Sequence, residues 1–227
     1  MWRDYAKGER TFCGISLLEG LREHQKLDHL LITSTTKGVL KGIPGIPEED
    51  DTNITRRQLE HHYAAFGFKT PEDIARYEAL LSQGFHLISR ELEKLGHIFV
   101  DTKFEFGYAP DEQGQPRLIS IDEIGTPDSS RFWDATAYAQ GTVVEHSKEG
   151  FRKFLLKKTD EKILLDKTRM PERKHLAATY LVPVDEFYSV SATYKTLAEH
   201  ITGTPAATIE NAQEEILDAL NRYKLVE

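Results

Sequence analysis

The period of the apolar residues changes abruptly near the middle of the chain. Ile74, Tyr77, Leu81, Phe85, Ile88, Leu92 and Leu95 recur at helical spacing over about seven turns. From Ile98 to Phe106 the apolar and polar positions alternate instead. A period of 3.6 that switches to 2 forces a long amphipathic helix followed by a strand. Gly96 stands where the helix must stop. Thr70 suits the N-cap, Pro71 the first helical position and Asp73 the third, in a capping-box-like pattern. The strand carries Ile98, Val100, Thr102, Phe104 and Phe106 on one face, and Phe99, Asp101, Lys103 and Glu105 on the other. DEQGQP reads as a turn, and RLISIDEIG as a second strand that completes a hairpin.

The remaining segments fit the same class. Residues 55–66 read as a short helix, and residues 30–55, rich in Thr, Gly and Pro, as a long loop. Loops of that length inside compact domains are often functional. Phe187, Val190, Tyr194, Leu197 and Ile201 form one C-terminal helical stripe, ended by Gly203, and Ile216, Leu220 and Tyr223 form another. The expected fold class is α+β, an antiparallel sheet with packed helices.

A formal net charge of -8 over 227 residues argues against a general phosphate-backbone binder, so no nucleic-acid partner is expected. A small basic pocket for a phosphorylated metabolite is compatible with that balance. The lone cysteine, Cys13, excludes an intrachain disulfide and a cysteine-based zinc cluster, and reads as a small packing residue. The charged N-terminus lacks the apolar core of a signal peptide, and no apolar run reaches ~18 residues. The expectation is a cytoplasmic protein with no membrane partner.

The charged strand face is the first candidate for chemistry. With a turn over residues 112–115, Glu105 would lie opposite Asp122, their Cβ atoms roughly 5 Å apart. Two bare carboxylates so placed repel each other. A divalent cation between them reverses the sign, and carboxylate oxygens with positions left open for phosphate suit Mg²⁺. Lys103, two residues from Glu105, is a point charge suited to phosphate or carboxylate, and Asp101 lies further along that face. The alternative is a solvated face with a salt bridge from Lys103 to either acid, and a slip of one residue would abolish the Glu105–Asp122 pairing.

Two loops add candidates. In DEIGTPDSSRFWD the chain turns through Gly125, Thr126 and Pro127, and Asp128 and Ser129 would set Arg131 beside that face. Arginine offers a planar fork for phosphate or carboxylate; the plainer alternatives are an Asx-turn at Asp128 and a surface ion pair at Arg131. TSTTKG, residues 33–38, offers hydroxyls and Lys37 on a loop but lacks the P-loop pattern, so an ordinary polar loop stays open.

Taken together and in order, TSTTKG, DDTNIT, DTKFEFG and DEIGTPDSSRFWD resemble the SAICAR synthase family. The resemblance spans nearly the whole chain, including the opening MWRDYAKGERTFCGI and the KGIPGIPEED insert, which are similar to the longer bacterial form. It implies the larger lobe of a two-lobed fold similar to ATP-grasp and kinase-like architectures. It also implies an ATP-dependent ligase joining L-aspartate to carboxyaminoimidazole ribotide (CAIR) in purine biosynthesis. By that resemblance Glu105 and Asp122 would hold Mg²⁺, Lys37 would reach ATP phosphates, and Lys103, Asp101 and Asp128 would stand at the reacting substrate. Arg131, Ser129, Ser130 and Arg152 would bind substrate phosphate or carboxylate, and Asp51 and Asn53 would border the aspartate or CAIR pocket.

The family's ATP-covering lobe has no counterpart in this sequence, so residues 1–227 are expected to form one domain corresponding to the C-terminal part of the enzyme. Association with that lobe or with a second copy is a further expectation. A non-catalytic fragment or nucleotide-binding module that keeps the fold is the competing reading. A kinase-like phosphotransferase ranks behind both, for want of the catalytic-loop and glycine-loop motifs of protein kinases.

Overall fold

A computed structural model describes residues 1–207 and 209–224. The chain forms two compact units, Met1–Val144 and Glu145–Glu227. In chain order the first holds α1 (Trp2–Ala6), β1 (Thr11–Phe12), β2 (Ile15–Ser16), β3 (Ser34–Thr35), β4 (Asn53–Ile54), α2 (Arg56–His61) and α3 (Glu72–Lys94). It continues with β5 (His97–Thr102), β6 (Glu105–Pro110), β7 (Pro116–Ile121), β8 (Ser130–Asp134) and α4 (Ala135–Ala139). The second unit is helical: α5 (Glu149–Lys158), α6 (Glu161–Leu165), α7 (Met170–Thr179), α8 (Val184–Thr202) and α9 (Ala212–Arg222).

The long helix and the change of period are as expected, and α3 begins at Glu72, just past the expected cap. Half of the cap reciprocity is present: the Thr70 N–H donates to Asp73 Oδ2 at 3.1 Å. Tyr108 reinforces it, its hydroxyl donating to the same carboxylate oxygen at 2.6 Å and so tying β6 to the start of α3. Ile74 and Leu92 are buried, whereas Leu95, expected in the stripe, is exposed just past the last turn. Thr55 caps α2 in a complete capping box with Gln58. At α8, Gly203 closes the helix in a left-handed conformation, and Leu197 of the expected stripe is buried.

The strands pair differently from the single hairpin sheet expected. The run from residue 97 to 110 breaks at Lys103 and Phe104 into β5 and β6. β5 pairs antiparallel with β8, and β6 with β7. The four antiparallel ladders among the described residues are each two-stranded.

The β5–β8 ladder holds the centre of the first unit. Phe99 pairs with Phe132, their ring centroids 5.4 Å apart, and Phe132 is fully buried. Phe85 of α3 packs on Phe99 at 5.1 Å. Burying such aromatic side chains is the dominant local stabilisation. The register then shifts between Phe99 and Asp101, a bulge at Val100. Before it, Phe99 faces the core; after it, Thr102 does, bonded to buried Ser130, and Asp101 takes the opposite face beside Arg131. The expectation that Phe99 shares a face with Asp101 is therefore wrong. An extra residue reverses the alternation.

The β6–β7 register also corrects the expected one. Pro110 pairs with Pro116, so the connection is residues 111–115, and Glu105 faces Ile121 instead of Asp122. The reason is local. Asp111 joins the turn: its Oδ1 accepts the N–H groups of Gln113 at 2.9 Å and Gln115 at 2.8 Å, while Gly114 takes a positive φ of 76°. The extra turn residue moves the pairing by one.

Candidate active site

The loop of residues 30–55 is closed on itself by the short β3–β4 ladder. Thr36, 2% exposed, is its internal fastening. Its N–H donates to the Thr52 carbonyl at 2.9 Å, its hydroxyl donates to the Glu49 carbonyl at 3.2 Å and accepts the Thr52 N–H at 3.0 Å. Gly38, at φ 74°, donates its N–H to Asp50 Oδ1 at 2.8 Å. Lys37 is held between these two anchors and reaches outward.

Its partner is Glu105 at the start of β6. Lys37 Nζ pairs with Glu105 Oε2, and Lys103 Nζ lies 2.6 Å from Glu105 Oε1. The Glu105 side chain is only 10% exposed, against 64% for Lys103 and 79% for Lys37. Two ammonium groups thus cap an inner carboxylate from the solvent side. Hydrogen bonds first from Lys103 and then from Lys37 pull the Glu105 carboxyl down to about 2. The same bond pushes the Lys103 ammonium above its usual range, helped by the charges of Glu105, Asp122 and Asp51.

The Glu105–Asp122 pairing expected across the hairpin is therefore absent, yet the cluster of acids around Lys103 is present by another route. Asp122 follows β7 directly and takes a left-handed backbone, φ 65°; Asp51 does the same at φ 55°. Aspartate is among the few side chains that tolerate this region, and such residues gather at functional sites. Asn53 pairs with Thr35 in the β3–β4 ladder beside Asp51.

On the β5–β8 ladder Arg131 Nη1 pairs with Asp101 Oδ2 directly across the strands. The next rung joins the Thr102 and Ser130 hydroxyls at 2.7 Å. Ser130 lies 3.3 Å from the Ser129 hydroxyl, which lies 3.1 Å from that of Thr126, which donates to Glu123. These serine hydroxyls are bonded to one another, to Thr126 within the turn and to Thr102 across the ladder. Asp128 is exposed at the tip of this turn. Arg152 belongs to the second unit, on α5, and pairs one turn back with Glu149 at 2.9 Å.

Sequence reasoning counted the Thr36 hydroxyl only among the loop's candidate phosphate contacts, and missed Thr102. Thr36 fastens the loop before Lys37 and Thr102 bonds to Ser130 before Lys103, and a threonine beside each lysine was the only signal. Lys37 follows β3, Lys103 lies between β5 and β6, and Arg131 is on β8, with the acids Glu105, Asp101, Asp122 and Asp51 in the same segments or next to them in chain order.

Residues 1–165 match the family model described as SAICAR synthetase. The chain belongs to the SAICAR synthetase family. It is 55% identical over 229 residues to the phosphoribosylaminoimidazole-succinocarboxamide synthase of Vibrio cholerae, covering 100% of this chain and 62% of that protein. It is 56% identical over 223 residues to that of Saccharophagus degradans, covering 98% of this chain and 61% of that protein. The chain thus spans about 62% of the length of the curated relatives it matches. Among solved structures it is similar to the SAICAR synthase of Saccharomyces cerevisiae, with a TM-score of 0.60 and 25% identity over 91% of this chain and 57% of that one. A second SAICAR synthase structure gives 0.58 and 26%. Every segment on which the resemblance rested lies within the span that matches the SAICAR synthetase model.

Proposed function

We propose that this chain carries the phosphate- and carboxylate-handling part of an ATP-dependent ligase site that joins L-aspartate to the carboxylate of CAIR. The products are SAICAR, ADP and phosphate. The single observation that carries the reading is the convergence of Lys37 and Lys103, from segments far apart in sequence, on Glu105. Membership of the family supports it, as do relatives named as the synthase and a yeast neighbour solved in complex with SAICAR.

A carboxylate does not accept an amine until one of its oxygens becomes a leaving group. In the proposed reaction a CAIR carboxylate oxygen bonds to the terminal phosphorus of ATP and ADP departs, giving an acyl phosphate. The aspartate amine then forms the C–N bond, loses a proton and expels phosphate. Lys37 and Lys103 neutralise the transferring phosphoryl group, and Arg131 holds a substrate carboxylate or phosphate in its fork. Asp101 orients that fork through the pairing across the ladder. Asp128, at the exposed turn beside Arg131, would face the imidazole substrate, while Asp51 and Asn53 border the amino-acid side. Ser129 and Ser130 serve this site by fixing the turn, and Arg152 is a candidate for a further phosphate contact.

Magnesium fits the donors present. Glu105 and Asp122 offer only carboxylate oxygen. One or two carboxylates, with phosphate oxygens and water completing the shell, is the usual Mg²⁺ arrangement. When bound, the ion would supply neutralisation of phosphate charge.

The test is product formation by the purified chain with CAIR, L-aspartate, ATP and Mg²⁺, alone and supplemented with the segment of a relative that it does not span. Turnover lost in Glu105→Ala is the expected result. A folded chain that gives no product in either mixture would overturn the ligase reading and leave the binding-module reading.

A further inference from the structure

Two lysines from separate segments cap one carboxylate, and that carboxylate is the innermost of the three groups. Each Glu105 oxygen meets a different ammonium, Oε1 with Lys103 and Oε2 with Lys37. The two ammonium groups therefore converge on the two oxygens of one carboxylate, as they could on two oxygens of a phosphate. Each ammonium has three donors and a flexible stem, and both are exposed enough to change partner with little rearrangement. Glu105 starts β6, its backbone paired opposite Ile121, and its side chain is the least exposed of the three.

We propose that Glu105 is a resident anion: it fills the anion site formed by Lys37 and Lys103, and a phosphate-bearing ligand binds there by displacing it from the two ammonium groups. The proposal deepens the ligase reading and rests on it only in taking phosphate as the ligand class. It gives Glu105 two alternating roles. With no phosphate present the carboxylate keeps the lysines in place and is itself closed to a cation by their charge. Once phosphate takes the lysines, both carboxylate oxygens are released, so cation binding at Glu105 follows phosphate binding.

A plain cation ligand and a resident anion predict opposite signs in one measurement. Pyrophosphate is titrated calorimetrically into the 227-residue chain and its Glu105→Gln variant, with EDTA present so that no divalent metal contributes. The expected result is binding roughly fivefold tighter in Glu105→Gln, the scale of releasing partly exposed ion pairs. Lys37→Met and Lys103→Met should each weaken binding. Equal or weaker binding by Glu105→Gln, insensitivity to both lysine substitutions, or no saturable binding by any chain would overturn the proposal. A second measurement needs no variant. In the unmodified chain, the Glu105 carboxyl ¹³C resonance should move on saturation with pyrophosphate while that of Asp73, bonded to Tyr108, stays still. A stationary Glu105 resonance also overturns it. Neither experiment uses aspartate, CAIR or turnover, so failure of the ligase reading in the product assay leaves this result separately readable.

Discussion

Asp101 and Arg131 face each other directly across the β5–β8 ladder, one rung beyond the bulge at Val100. Both side chains are well exposed, at 52% and 38%, so their ion pair contributes little to folding. Asp101→Asn should lower unfolding free energy by less than about 1 kcal/mol in urea titrations. Its effect on the site should be larger, because the guanidinium loses the carboxylate that faces it across the ladder. Affinity for a substrate carboxylate should fall roughly tenfold, on the scale of one charge-assisted hydrogen bond. Arg131→Lys should fare as badly, since an ammonium lacks the planar fork.

Glu105 makes a pH prediction of definite sign. Its carboxyl is held at about 2, below an ordinary 4.5, so its ion pairs stabilise the fold fully above that ordinary value. The contribution is lost as pH falls from about 4.5 through about 2. The stability difference between the unmodified chain and Glu105→Gln should therefore be constant from pH 5 to pH 7 and shift as acid is added. Urea unfolding at a series of pH values would show it. In Lys103→Met the Glu105 carboxyl should titrate closer to the normal range, as followed by ¹³C NMR.

Thr36 should matter to the site more than its distance from the chemistry suggests. Thr36→Val keeps the shape but leaves the part-buried Thr52 N–H without its hydroxyl acceptor and takes one of two hydroxyl donors from the Glu49 carbonyl, that of Thr52 remaining. The cost should be about 1–3 kcal/mol. Lys37 should lose its anchor as well, so the Glu105 carboxyl should rise in the same variant. Thr36→Ser should restore both readings, whereas a purely packing role for the side chain would leave Glu105 unmoved.

The turn at residues 111–115 can be tested by stability alone. Asp111→Ala removes the acceptor for two backbone N–H groups and should cost about 1–2 kcal/mol. Gly114→Ala, at φ 76°, should cost about 1 kcal/mol. Amide exchange should locate the loosening in β6 and β7, with α3 affected through Tyr108.

The long helix, the strand after it and the C-terminal helix ended by Gly203 were legible because periodicity and capping act over short distances. The lysines and acids of the site were legible as candidates for the same reason: an apolar alternation interrupted by Asp101, Lys103 and Glu105 has few plain explanations. What the strings could not convey was pairing. Whether Asp111 belongs to a strand or a turn decides the β6–β7 register, and that depends on two hydrogen bonds from backbone groups further on. The split of one expected strand into β5 and β6, with partners on either side in sequence, is set by tertiary packing on α3 and leaves no local mark. Lys37 meeting Glu105 is likewise a product of the closed loop around Thr36.

The single extra residue between Phe99 and Asp101 acts as a phase shifter. Upstream of it the strand delivers aromatic rings to the interior; downstream the same alternation delivers charge to solvent and hydroxyls to the interior. Site and core are thus encoded by a count as much as by identity. Were the strand regular here, Val100 would stand opposite Arg131, and Asp101 would take the buried rung opposite Ser130 where Thr102 now sits. Point substitution can adjust this chain gradually, whereas the face taken by each residue of the strand beyond Phe99 depends on one extra residue being accommodated as a bulge.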